Sequence, residues 1–222
     1  MRVVVAGAHG KIGMRLGRRL ADRGDEVAGV VRNPGHAGDL TAAGVEPVVL
    51  DLEAASVDDV VAVLGGADAV VFSAGAGPGS GVARKDTVDR AAAVLLADAA
   101  ERAGVRRYLL VSSVGVEGVR GDTTGPDDEV FHAYLVAKLA AEDDVRARPL
   151  DWTVLRPGPL TDDPGTGRVR LAPSVPRGAV TRDDVAAVLV ELLDRPDTSG
   201  LVLELAGGDT PVPDAVGAVA AR

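Results

Sequence analysis

Short runs of consecutive apolar residues recur along the chain at 3–6, 27–31, 48–50, 69–72, 108–111, 153–155 and 202–205. Each has the length of a strand and lacks the strict alternation of a half-exposed one, so each predicts a strand buried on both faces. Between them apolar positions recur at helical spacing over 11–23, 56–64, 87–103, 129–147 and 182–193, with a further helical pattern at 213–221. Several of these patterns stop at glycine, where a left-handed C-cap ends a helix. Buried strands alternating with helices predict βαβ units and a parallel sheet covered on both faces. The expected architecture is therefore a doubly wound α/β fold in Rossmann order, as a single domain over residues 1–222. Residues 158–178 are rich in Pro, Gly and Thr and predict a long loop with one short strand at 168–171. Extended to residue 180, this stretch is the expected substrate-side part of the fold.

Composition narrows the picture. Of 222 residues, 46% are apolar but only 2% aromatic, so the core has to be built from Val, Leu and Ala. A formal charge of −9 argues against nucleic-acid and anionic-membrane partners, while leaving room for a local basic site that takes a small anion. With no cysteine and three scattered histidines, disulfides, thiolate sites and a metal centre are not expected. The opening VVVAGA is too short for a signal segment and no apolar run approaches about 18 residues, which predicts a cytoplasmic protein without a membrane span.

The first strand runs directly into Gly-Ala-His-Gly-Lys-Ile-Gly. In this spacing Gly7 permits a tight turn, Gly10 lets a pyrophosphate approach the backbone, and Gly13 lets the helix pack closely on the sheet. The N–H groups at the start of that helix, around Lys11 and Ile12, would face the phosphates, with His9 beside them in the loop. A second strand at 27–31 closes a βαβ unit, the context a dinucleotide site requires. That strand ends in Arg32 and Asn33. An acidic residue there would bind the 2′-hydroxyl of NAD, whereas an arginine accommodates the 2′-phosphate of NADP, so the expected cofactor is NADP(H). Asp51 and Leu52, after the third strand, stand where the adenine would lie. Ser73, Ala74 and Gly75, after the fourth, are small residues over which a ribose could pass.

Tyr134 and Lys138 stand four apart in a helical pattern, which puts them on one face. An ammonium beside a phenol stabilises the phenolate and fits it to exchange a proton with a carbonyl or alcohol. Ser112 and Ser113 end the fifth strand, and a hydroxyl there would hydrogen-bond the substrate oxygen. Ser113 is the first choice and Ser112 the alternative.

Together the motifs GAHGKIG, VRNP, LDLE, SAGAGPGSG, LLVSSVGV, YLVAK, WTVLRPGPLTDDPGTG and RDDVAAVLVELL resemble the atypical branch of the short-chain dehydrogenase/reductase superfamily. That branch includes biliverdin reductase B-like, flavin reductase-like and NmrA-like proteins. The resemblance covers essentially the whole chain. It implies that segment 156–160 passes beside the nicotinamide, with Pro157 and Gly158 shaping the pocket, and that Lys138 also binds the ribose. After Leu160 the chain lacks the length of the substrate domain found in sugar-nucleotide epimerases, which argues against a nucleotide-sugar substrate. The resulting expectation is an NADPH-dependent oxidoreductase acting on a small carbonyl, quinone, flavin or tetrapyrrole-like acceptor. The alternative is a non-enzymatic NADP(H)-binding redox sensor; the oligomeric state is open.

Overall fold

The computed structural model describes residues 1–77, 79–120 and 129–221. Its strands are β1 (Arg2–Ala6), β2 (Glu26–Val31), β3 (Glu46–Val49), β4 (Ala69–Phe72), β5 (Arg107–Val111), β6 (Asp151–Pro157), β7 (Leu160–Thr161), β8 (Arg168–Ala172), β9 (Val180–Thr181), β10 (Leu201–Gly207) and β11 (Thr210–Pro211). The helices are α1 (Lys11–Arg23), α2 (Ala37–Ala42), α3 (Val57–Leu64), α4 (Val82–Arg84), α5 (Ala92–Ala103), α6 (Glu129–Arg146), α7 (Arg182–Leu193) and α8 (Val212–Ala220). A nine-stranded sheet runs β11-β8-β10-β6-β5-β4-β1-β2-β3. From β10 to β3 every neighbouring pair is parallel, which is the expected doubly wound Rossmann arrangement.

Alternate residues of each strand feed two cores. Val3 and Val5 of β1 pack with Leu16 and Leu20 of α1, Val185 and Leu189 of α7, and Val216 of α8. Val4 and Ala6 face the other way, onto Val60 of α3, Leu96 and Ala100 of α5, and Val145 of α6. Burial on both faces explains why the strands read as unbroken apolar runs. Phe72 and Tyr108 are the bulkiest fully buried side chains. The Tyr108 hydroxyl donates to the Ala93 carbonyl at 2.9 Å, and burial pushes this phenol well above its ordinary range.

The structure departs from the sequence pattern in three places. The short helix α2 buries only Leu40, too little to register as a period. The helix expected from residue 87 starts at Val82 and passes through a wide π turn, Lys85–Ala91, before α5. The stretch expected as a loop with one strand holds β7 and β8 and leads into β9. β8 runs antiparallel to β10, and β7 pairs with β9 in a separate two-stranded sheet. β8 exposes Arg168 and Arg170 and buries Val169 and Leu171, the alternation of a one-sided strand near a sheet edge.

The chain leaves β1 toward β2 on one side and, after β3, returns to β4 on the other. A crevice at this reversal, outside the carboxyl ends of the strands, is where such sheets take ligands.

Candidate functional site

The glycine loop lies at that crevice. Gly7 has φ +80°, and a Cβ there would stand 2.6 Å from the Ala74 Cα, so both conformation and space demand glycine. A Cβ on Gly13 would meet the Gly7 carbonyl oxygen at 2.4 Å and Ala8 Cα at 2.9 Å. The close packing that Gly13 was expected to allow between helix and sheet is instead against the loop itself. At Gly10 the nearest atom is the Gly7 oxygen at 3.0 Å, with nothing else within 4 Å, which leaves the outer side open to a ligand. Gly10 is the N-cap of α1, has no side-chain cap and has no acidic residue in the turn that follows. The first N–H groups of the helix are thus left for an anion. Ile12 packs its side chain on the core. The Lys11 ammonium is paired with Asp162, which also meets Arg182 at 3.0 Å.

An open cleft of about 350 Å³ extends from this loop across the ends of β2, β3 and β4. Gly7, His9, Gly10, Arg32, Asn33, Asp51, Leu52, Ala74 and Gly75, all singled out from the sequence, line it. The His9 ring stacks on His36 at 3.6 Å and meets the Asp39 carboxylate at 2.8 Å, forming one wall. Asn33 caps the turn after β2 by accepting from the Gly35 N–H at 2.9 Å, and Asp51 accepts from the Glu53 N–H at 3.1 Å. Arg32 is held at 2.9 Å by Glu53, which also accepts from Arg84 and Thr87. Arg84, ahead of Thr87 and Arg32, keeps the Glu53 carboxyl below the usual carboxylate range.

Further along the sheet, α6 carries Tyr134 and Lys138 on one face, with the Lys138 Nζ 5.9 Å from the Tyr134 ring centre. Lys138 is buried. It donates to the carbonyls of Val111 at 3.1 Å and Ala74 at 3.3 Å, and lies 3.3 Å from Asp89, an ion pair by distance that is not aligned as a hydrogen bond. The ammonium thus ties the ends of β4 and β5 to the π turn. A second ammonium, Lys85, lies 5.7 Å from the same tyrosine ring and donates to the Gly77 carbonyl. The Ser73 and Ser112 hydroxyls are buried without a partner, whereas the Ser113 hydroxyl donates to the Val114 carbonyl at 3.1 Å. Pro157 accepts from the Val114 N–H, and a Cβ on Gly158 would collide with the Gly178 carbonyl at 2.1 Å. Beside them a second cavity, of about 260 Å³, is lined by Val114, Gly158, Val175, Gly178 and Glu204 among others. The Arg156 side chain turns away into a buried pair with Glu142 and a further bond to Glu117.

A family model described as NAD(P)H-binding matches residues 7–196. The chain belongs to the NAD(P)H-binding family. This NAD(P)H-binding protein is 35% identical over 217 residues to a Bacillus subtilis protein called the uncharacterized sugar epimerase YhfK, covering 97% of this chain and 99% of the relative. A solved Bacillus halodurans structure, whose name carries NAD-dependent epimerase/dehydratase, superposes with a TM-score of 0.90 at 36% identity, over 99% and 100% of the two chains. The anaerobillin reductase ChuY of Escherichia coli O157:H7 gives 0.79 at 27% identity, over 94% and 98%. The neighbours are those of an atypical short-chain dehydrogenase/reductase, as the motifs imply.

Sequence reasoning missed several residues in and around the cleft. Glu53 stands next to Asp51 and Leu52 in LDLE, and its neighbours were the available signal. Arg84, at the end of α4, lines the cleft, and Lys85 and Asp89 reach Tyr134 and Lys138 from the π turn, which spacing does not reveal. Among the described residues no group of three or more metal-ligating side chains converges, and no helix is long and apolar enough to cross a membrane.

Proposed function

We propose that this protein is an NADPH-dependent reductase of a small carbonyl, quinone, flavin or tetrapyrrole-like acceptor. The observation that carries the reading is the adjacency of two features: a glycine cradle open at Gly10 above an uncapped helix, and a tyrosine of α6 beside two lysines, one of which donates to Ala74 in the wall of the same cleft. The cradle fits a pyrophosphate, since a Cβ at Gly10 would stand in the open approach. The partnerless hydroxyls of Ser73 and Ser112 are donors where the rest of a dinucleotide would pass. Bound nicotinamide would supply a hydride. Tyr134 donates the proton to the acceptor oxygen, Ser113 orients the acceptor with Ser112 as the alternative, and Lys138 lends positive charge while fixing the strand ends and meeting the ribose. Pro157 and Gly158 wall the nicotinamide side. These residues contribute placement and electrostatics. The Bacillus subtilis relative's name refers to a sugar epimerase; in this chain the elements after Leu160 serve the sheet edge and its cover.

A redox-sensing binding protein is the second reading. It draws on the neutralisation of Lys138 by Asp89 and on the bond of Ser113 to its own neighbour. Stopped-flow oxidation of bound NADPH against carbonyls, quinones and flavins separates the two. An acceptor that speeds oxidation establishes the enzyme, and a panel in which none exceeds the rate without acceptor leaves the sensor. With the best carbonyl, Tyr134→Phe is expected to lower turnover by roughly 10²-fold while NADPH affinity stays within a few-fold. Wild-type turnover in that variant would remove Tyr134 from the mechanism.

A further inference from the structure

Three segments far apart in the chain meet at the outer end of the large cleft: Arg32 after β2, Glu53 after β3 and Arg84 in α4. Arg32 Nη1 and Arg84 Nη2 donate to the same Glu53 oxygen, at 2.9 and 2.6 Å, and the Thr87 hydroxyl donates to the other oxygen at 2.6 Å. The carboxylate is the covered partner, with a side chain 23% exposed, while Arg32 and Arg84 are 54% and 40% exposed. All three line the cleft that begins at Gly10. Two guanidinium groups therefore converge on one oxyanion, and each keeps further N–H donors free. A phosphate presents the same kind of oxygen with more charge.

We propose that Arg84 is the second arm of the 2′-phosphate recess and that Glu53 sets the cofactor preference, aligning both arginines in the free protein and opposing the phosphate once it enters. This rests on the NADP(H) reading above. The nearby carboxylate lowers the preference for NADPH below what two arginines alone would give, because it repels the added phosphate and competes for the same donors. The 2′-hydroxyl of NADH carries no charge, so it is largely indifferent to that repulsion. Arg84 and Thr87 keep Glu53 ionised at neutral pH, so the repulsion is permanent there.

The test is calorimetric titration of wild type, Glu53→Gln, Arg84→Ala and Arg84→Lys with NADPH and NADH, and with 2′,5′-ADP and 5′-AMP, which probe this end alone. Gln keeps one oxygen for the two arginines, removes the charge, and puts an amide N–H2 in place of the other oxygen, to which the Thr87 hydroxyl can turn as acceptor. Glu53→Gln is expected to raise the NADPH:NADH affinity ratio about fivefold, and Arg84→Ala to lower it about tenfold, with Arg84→Lys recovering part of the loss. The 2′,5′-ADP:5′-AMP ratio should follow. Using ratios cancels any general loosening of the fold, which moves both nucleotides together. A ratio within twofold of wild type in Glu53→Gln, or an equal loss for both cofactors in Arg84→Ala, overturns the inference. The wild-type ratio judges the underlying reading separately. Equal wild-type affinities with a preference created by Glu53→Gln would uphold the role of Glu53 while removing the NADP(H) assignment.

Discussion

On the proposed reading, Arg32 is the side chain on which cofactor choice turns most directly. It stands half exposed at the end of β2, lines the cleft, and already binds an oxyanion of this protein. A charge-assisted contact of an arginine with a phosphate is worth about 1.5–3 kcal/mol net. Arg32→Ala is therefore expected to weaken NADPH at least about tenfold and to change NADH little. Titration of both cofactors checks this, and an equal loss for the two would put Arg32 outside the recess. Arg32 was legible in the sequence because its place is defined by the strand it ends, and Gly7 and Gly13 because a missing Cβ is demanded by neighbours a few residues away or by a positive φ. Arg84 was not legible. Its role follows from convergence with Glu53 across 31 positions of sequence, and local spacing carries no record of such a meeting.

At the scale of elements, residues 158–180 were the least readable part of the chain. Its strands are short, and what organises them is a single carboxylate from the next helix. Asp184, in the first turn of α7, accepts from the N–H groups of Thr166 and Gly167 at 3.0 and 2.8 Å and from the hydroxyls of Thr166 and Thr181. Thr181 in turn caps α7 by accepting from the Asp184 N–H. Thr181 and Asp184 stand three apart, the spacing of a helix N-terminus, but the second task of Asp184, holding a loop 17 residues upstream, leaves no mark in the local sequence. Asp184→Ala leaves two backbone donors and two hydroxyls without this acceptor and is expected to lower stability by about 2–4 kcal/mol. Urea unfolding measures the loss, and amide exchange should quicken first at Thr166 and Gly167. An unchanged urea midpoint would mean that water replaces the carboxylate.

For the molecule as a whole, charge links parts that hydrophobic burial alone does not. Lys11 holds the Asp162 carboxyl below its ordinary range, Arg106 does so for Asp151, and Arg156 for Glu117. Each pair joins segments distant in sequence. A carboxylate whose folded pKa is depressed stabilises the fold above its unfolded value, near 4, and loses that contribution as pH falls through the folded value. The urea midpoint is thus expected to hold between about pH 7 and 5 and to drop below about pH 4. A decline that begins near pH 6.5 would assign the loss to other groups. The fold was readable at this scale because valine-rich strands and alanine-rich helices repeat one simple pattern from end to end.

The π turn between α4 and α5 takes an extra residue into an otherwise regular screw. At Ala92 the N–H reaches back five residues, to the Thr87 carbonyl, so each circuit of the turn takes up more chain than an α-helical one. Removing one residue here would let the turn close to ordinary α-helical spacing, leaving α4 and α5 nearly in phase while re-aiming the side chains of the turn itself. Asp89 would then leave Lys138, and Lys85 would leave the tyrosine it faces. The extra residue of the wide turn therefore sets the direction of Lys85 and Asp89 toward α6, while the helical segments on either side run on in step.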